Sequence, residues 1–226
     1  MKKQLAVLCS AALLLGLLSG CGVESRSEKP AIYLYPEEDC NLDAKPVLYL
    51  EAPTELDVTV RLDYAGTLTS TYPAYQDGWH VLAQPDGTLT DPDTGRQYYC
   101  LFWEGVNDAN YDLSTGFCVA GEDTAAFLEQ TLAELGLNER EANEFIIYWL
   151  PRMEGNAWNL ISFQGAAYTD AAVLDIDPEP DRMLRVFMAW KKLDRPVEVP
   201  PQTFQPFERS GFTVVEWGGC EMKETN

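Results

Sequence analysis

Between Glu55 and Tyr64 the chain alternates without a break. Leu56, Val58, Val60, Leu62 and Tyr64 fall on one face, with Asp57, Thr59, Arg61 and Asp63 on the other. A period of two with one apolar and one polar side predicts a half-buried strand of an antiparallel sheet. The flanking sequence repeats the theme in short pieces. Ile32–Tyr35 and Val47–Glu51 are β-branched or aromatic runs ended by Pro36 and Pro53. Gly66 turns the chain into Thr67–Tyr72, Gly78 precedes Trp79–Ala83, and Pro85-Asp86-Gly87 makes a turn. Asp91-Pro92-Asp93-Thr94-Gly95 makes another before Gln97–Glu104. Short strands punctuated by turn residues predict a β-sandwich or a strongly twisted sheet.

Helical spacing enters only in the middle of the chain. Asp123 is placed to N-cap a helix whose Phe127, Leu128, Leu132 and Leu135 share a face, and Gly136 suits the position just past its end. Asn138 then opens a second helix, with Glu141 in the place that closes a capping box. Ala142, Phe145, Ile146, Trp149 and Leu150 recur at 3.6-residue spacing, and Pro151 is the expected stop. Arg140 is the only basic residue near this αα-hairpin's turn, so it is read as packing on a sheet rather than on DNA. Strands resume at Asn159–Phe163, Ala172–Ile176, Met183–Trp190 and Phe212–Trp217, the last expected to close at Gly218-Gly219. Pro196–Phe207 carries four prolines and is expected to cross a surface in extended form. The fold class is therefore α+β. An antiparallel, sandwich-like first half (30–120) is followed by an αα-hairpin on further antiparallel strands (121–226), and the halves are able to share one core.

The N-terminus says where such a chain works. Lys2 and Lys3 precede an almost unbroken apolar run, Gln4–Leu18, the layout of a cleaved export signal and too short for a comfortable permanent span. Leu18-Ser19-Gly20-Cys21 resembles the lipobox of bacterial lipoproteins. That resemblance implies cleavage after residue 20, a diacylglyceryl group on Cys21, and anchoring at the outer face of the cell membrane. Two acyl chains hold firmly where one holds marginally. Residues 22–29 are polar and aperiodic, a tether of roughly 15 Å as a flexible coil.

Charge narrows the partners. Lys2 and Lys3 leave with the leader, so 14 basic residues face 36 acidic ones, a formal charge of −22. Such a surface repels nucleic acid and anionic headgroups. Cys9 also leaves and Cys21 is lipidated, so Cys40, Cys100, Cys118 and Cys220 remain, with three pairings open to them. Cys100 and Cys118 flank the turn-rich segment Gly105–Thr115 and form the expected disulfide if their strands run antiparallel. With no CxxC and a single histidine, a Cys/His zinc site has no support.

Two further segments carry a second resemblance. Lys29-Pro30-Ala31-Ile32-Tyr33-Leu34-Tyr35-Pro36 and Gly211-Phe212-Thr213-Val214-Val215-Glu216-Trp217-Gly218-Gly219 resemble the two ends of an uncharacterised family of exported bacterial proteins. The similarity spans nearly the whole mature chain and brings no activity with it.

Chemistry-bearing motifs are few. His80, the lone histidine, lies in an expected strand beside Trp79, and no GxSxG elbow, P-loop or GxGxxG occurs. Calcium is the one cofactor with a candidate site. Asp108, Asn110, Asp112 and Ser114 have the oxygen spacing that begins a calcium loop, although Leu113 and Val119 stand where glycine and glutamate belong. Asp39-Cys40-Asn41-Leu42-Asp43 begins the same way. For glycoside or peptide hydrolysis by paired carboxylates, Glu104, Glu154 and Glu216 are the candidates, each beside aromatic residues. Six tryptophans and eleven tyrosines supply core and, where exposed, platforms for sugar rings. The preferred reading is a lipid-anchored envelope protein that binds an extracellular glycan or peptide. The alternative is an envelope hydrolase, and a purely structural protein would lack an aromatic-lined cleft.

Overall fold

A computed structural model describes residues 42–222; the leader, Cys21, the tether, Ile32–Tyr35 and Cys40 lie outside them. In chain order the elements are β1 (Leu42–Ala44), β2 (Val47–Glu51), β3 (Leu56–Tyr64), β4 (Thr67–Tyr72), β5 (Trp79–Ala83), β6 (Leu89–Thr90), β7 (Gln97–Tyr98), β8 (Leu101–Asn107) and β9 (Phe117–Ala120). There follow α1 (Thr124–Leu135), α2 (Glu139–Met153), β10 (Trp158–Gln164), α3 (Ala166–Thr169), β11 (Ala172–Asp177), β12 (Arg182–Leu193) and β13 (Thr213–Glu221). The fold is α+β and β-rich, with two sheets and a helical hairpin.

The eight-stranded sheet runs β1-β8-β2-β13-β12-β10-β9, with β4 also on β8, and the five-stranded sheet runs β11-β3-β5-β6-β7. Every pairing is antiparallel except β12 with β13. A parallel pair needs a long crossover, and the proline-rich segment between Leu193 and Thr213 supplies it as an irregular strap. β13 lies between β2 and β12, so strands from both sides of residue 120 alternate in the larger sheet.

Burial follows the alternation. Val58, Val60 and Leu62 of β3 face Leu48, Leu50, Val214 and Phe187 of the larger sheet in one apolar layer. The opposite face of that sheet packs Val215, Trp217, Met188 and Trp190 against Leu128, Leu132, Phe145, Trp149 and Met153 of the hairpin. The hairpin turn is fixed by local chemistry. Gly136 adopts φ +102°, its N–H reaching the carbonyls of Leu132 and Ala133, a left-handed closure that suits glycine. Asn138 and Glu141 cap each other reciprocally at the start of α2.

Several expectations are corrected. Asp123 makes no side-chain cap; a short 3-10 turn, Gly121–Asp123, precedes α1, and the Thr124 hydroxyl donates to the Ala120 carbonyl at 3.1 Å. Pro151 does not stop α2, which continues to Met153. The bond it deletes is to the carbonyl of Ile147, a residue on the solvent side and 74 % exposed, while buried Trp149 and Met153 hold the turn down. The expected strand Gln97–Glu104 is broken at Tyr99–Cys100, with β7 and β8 in different sheets. Gly218 and Gly219 do not end β13 but lie inside it. A Cβ on Gly219 would meet the Met188 carbonyl at 2.6 Å and Trp149 at 3.0 Å, so these glycines serve close packing.

Candidate functional site

The acids singled out from sequence do not share a cleft. Glu216 is fully buried between the two sheets, its carboxylate accepting from Arg185 Nε at 2.5 Å and Trp103 Nε1 at 3.4 Å. The Arg185 guanidinium lies 4.8 Å from the ring centroid of Tyr168, which stacks on Phe187 at 4.0 Å. Burial pulls Arg185 down, but Glu216 outweighs it and leaves the pKa raised; burial, then the Glu216 charge, raises the Tyr168 phenol. Glu104 lies on the opposite face of the sheet, beside Phe102 of the helix-side core, and accepts from Lys45 Nζ at 2.5 Å. Glu154 is exposed at the end of α2. Glu216 and Glu104 are each paired with a separate cation, and these three candidates do not converge.

The expected disulfide is also corrected. Cys100 and Cys118 stand as free thiols. Cys100 precedes β8 and Cys118 lies on β9, with β2, β13, β12 and β10 intervening. At about 4.8 Å per strand that is roughly 24 Å, against the ~7 Å a disulfide tolerates. Burial, then Glu144, pushes the Cys100 thiol up to about 11. Asp108, Asn110 and Asp112, in the connection between β8 and β9, are exposed while Ala109, Tyr111 and Leu113 pack against the core. Asp112 accepts from the Ser114 N–H and hydroxyl, both at 2.8 Å. Among the described residues no cluster of three His, Cys, Asp or Glu could hold a metal ion, and no helix is long and apolar enough to cross a membrane. His80 meets Asp57 at 2.7 Å, half exposed.

What the fold does assemble is a cleft of about 370 Å³ at the start of α2. Tyr49 and Glu51 of β2, Asp86 of a turn, Tyr99 of the β7–β8 break, the α2 cap Asn138 and Arg140 of α2 line it. Tyr99 is 53 % exposed but not loose. The Arg140 guanidinium sits 5.0 Å from its ring centroid, and Arg140 Nε donates to Glu144 at 3.2 Å. The second Glu144 oxygen accepts from the Tyr49 hydroxyl, which in turn accepts from Trp217 Nε1 at 3.2 Å. A continuous chain of contacts thus runs from buried Trp217 to an exposed aromatic face. Burial, then Glu144, raises the Tyr49 phenol far above its ordinary range, so it remains a donor.

The cleft's carboxylates are acceptors. Arg209 donates to Glu51 at 2.7 Å and to the two Glu141 oxygens at 2.9 and 2.5 Å, and also to the Gly136 carbonyl. Asp86 is held below the usual carboxylate range by bonds from Thr88. This arrangement offers an aromatic plane, a guanidinium and carboxylate oxygens, a set suited to a hydroxyl-rich ring. Sequence reasoning missed it because its residues come from four separated segments. The usable signal was Tyr98-Tyr99 beside Cys100, two aromatics where the strand breaks.

A protein of Butyrivibrio fibrisolvens, named as an uncharacterised protein in the bglA 3′ region, is 33 % identical to this chain over 111 residues. The match covers 97 % of that protein and 46 % of this chain. The chain belongs to that protein's family. No family model matches it, and no solved structure does. The relationship brings kinship but no activity.

Proposed function

We propose that this protein is a lipid-anchored component of the outer face of the bacterial cell membrane that binds a glycan, stacking a sugar ring on Tyr99. The observation that carries the reading is that Tyr99 is exposed yet tied, through Arg140, Glu144 and Tyr49, to the core at Trp217. Holding the platform in place before binding removes an ordering cost from association. Donor hydroxyls of a neutral sugar suit the acceptors Glu51 and Asp86, whereas an anionic sugar would meet them as like charge. No catalytic step is assigned, because Arg209 engages Glu51 and Glu141 and Asp86 is held ionised, leaving no carboxylic acid aimed at a leaving group.

The test is titration of the soluble domain with a panel of neutral and acidic oligosaccharides. Tyr99→Ala is expected to weaken the best neutral ligand at least tenfold, with Tyr99→Phe close to the parent. Equal binding by parent and Tyr99→Ala across the panel rejects the site. Shortening of the ligand with time would instead favour the hydrolase. Anchoring is checked separately in cells. Cys21→Ala is expected to release the protein from the membrane fraction, and the parent's intact mass should show loss of residues 1–20 plus a diacylglyceryl adduct. Full membrane retention of Cys21→Ala rejects the anchor.

A further inference from the structure

β12 is paired on both sides over only part of its length. β13 runs beside Arg182–Trp190, but β10 stops at Gln164, opposite Phe187. The direction of the unpaired groups follows from Phe163. Its N–H donates to the Gln202 side chain and its carbonyl accepts from it, both at 2.8 Å, on the edge of β10 away from β12. Gln164 therefore turns its own N–H and C=O toward Phe187, and alternation along β12 aims those of Arg185 and Met183 the same way. No donor or acceptor among the described residues meets them.

The strap runs past this edge without pairing to it. It is pinned at one end by Gln202 on Phe163 and at the other by Arg182 Nε on the Glu208 carbonyl at 3.0 Å. Between these points an open groove of about 430 Å³ remains, with Gln164, Gly165, Arg185, Gln202, Thr203 and Phe204 in its wall. We infer that this groove, together with the edge of β12 that continues beyond its wall to exposed Met183, docks an extended peptide, which adds a short strand to the larger sheet by pairing with Met183 and Arg185. Two N–H and two C=O groups repeating at roughly 6.6 Å match another extended backbone, and neither a sugar ring nor a lipid reproduces that spacing. Backbone groups rather than charge select the occupant: Arg185 is the one charged residue in the groove wall and Glu216 already pairs it, so an uncharged extended peptide fits. The groove shares no residue with the Tyr99 cleft, so this inference stands or falls apart from glycan binding.

The probe is a displayed library of randomised heptapeptides, selected on the folded domain, with the best peptide resynthesised with alternate backbone amides N-methylated. Met183→Pro deletes an N–H that the fold does not use, so its melting temperature should stay within a few degrees of the parent. Peptide affinity is expected to fall at least tenfold in Met183→Pro and in one N-methylated register, and to stay within threefold in Met183→Ala. If Met183→Pro does not fold, the N-methylated peptides alone decide. Failure to select any peptide overturns the inference, as does equal binding of every N-methylated form. So does a selected peptide lost by Tyr99→Ala but kept by Met183→Pro.

Discussion

Glu216→Ala is expected to remove about 3–5 kcal/mol of folding stability, the scale for breaking one side of a buried ion pair. The reason lies in Arg185, whose side chain is only 9 % exposed while that of Glu216 is 0 % exposed. Without the carboxylate the guanidinium keeps its charge among Trp103, Tyr168 and Phe187 with no counter-ion. Trp103 Nε1 also loses its acceptor. A domain of this size holds roughly 5–15 kcal/mol in all, so the variant should sit near its unfolding threshold at 37 °C. Urea titration is the measurement, with the midpoint falling and the slope unchanged. Glu216→Gln keeps an acceptor for both neighbours and should lose less. The double variant Glu216→Leu, Arg185→Met should recover most of the loss, since exchanging a whole buried pair for apolar groups is close to neutral. A loss below about 1 kcal/mol in Glu216→Ala would mean that Arg185 reaches water, and the buried-pair account would fail.

That pair also shows where sequence reasoning succeeds and stops. The strand at Leu56–Tyr64 was legible because one face is wet, and period-two alternation records that directly. The hairpin was legible because its turn is local. Gly136, Asn138 and Glu141 determine it within six residues. Glu216, by contrast, occupies an inward position of a strand buried on both faces, where no alternation separates an acid from its apolar neighbours. Its aromatic neighbourhood read as a cleft, and it is a core. Gly218-Gly219 misled for a related reason: glycine marks turns in exposed strands, but in a central strand it marks where Met188 and Trp149 press close. Cys100 and Cys118 are near in sequence and far in space because strand order is decided by long-range pairing. The Tyr99 cleft was hidden likewise, since β2, the Asp86 turn, Tyr99 and α2 meet only after both sheets and the hairpin have packed.

Arg209→Ala is the second substitution expected to act strongly, and it joins stability to the cleft. Arg209 sits where the strap returns to the sheet, and its guanidinium binds Glu51, Glu141 and the Gly136 carbonyl at once. Burial lowers its pKa, but the bonds to Glu141 and Glu51 outweigh that and leave it raised. The Glu141 side chain is 2 % exposed, against 35 % for Glu51. Loss of the cation therefore strands one carboxylate in the interior, with the Asn138 N–H as its remaining donor, and leaves the other to water. Discounting the partly exposed arm, the expected cost is about 2–3 kcal/mol. Arg209→Lys retains the charge but not the planar fork that serves two carboxylates and a carbonyl together, so it should recover less than half. Arg209→Ala, Glu141→Gln should be more stable than Arg209→Ala alone, because the stranded charge is gone. The cleft responds through its charge: Glu51 and Glu141 both line it, so affinity for a neutral oligosaccharide should drop several-fold even after correction for the folded fraction. Stability within 0.5 kcal/mol of the parent would show that Arg209 is a surface contact, and the cleft's acceptors would then need another source of order.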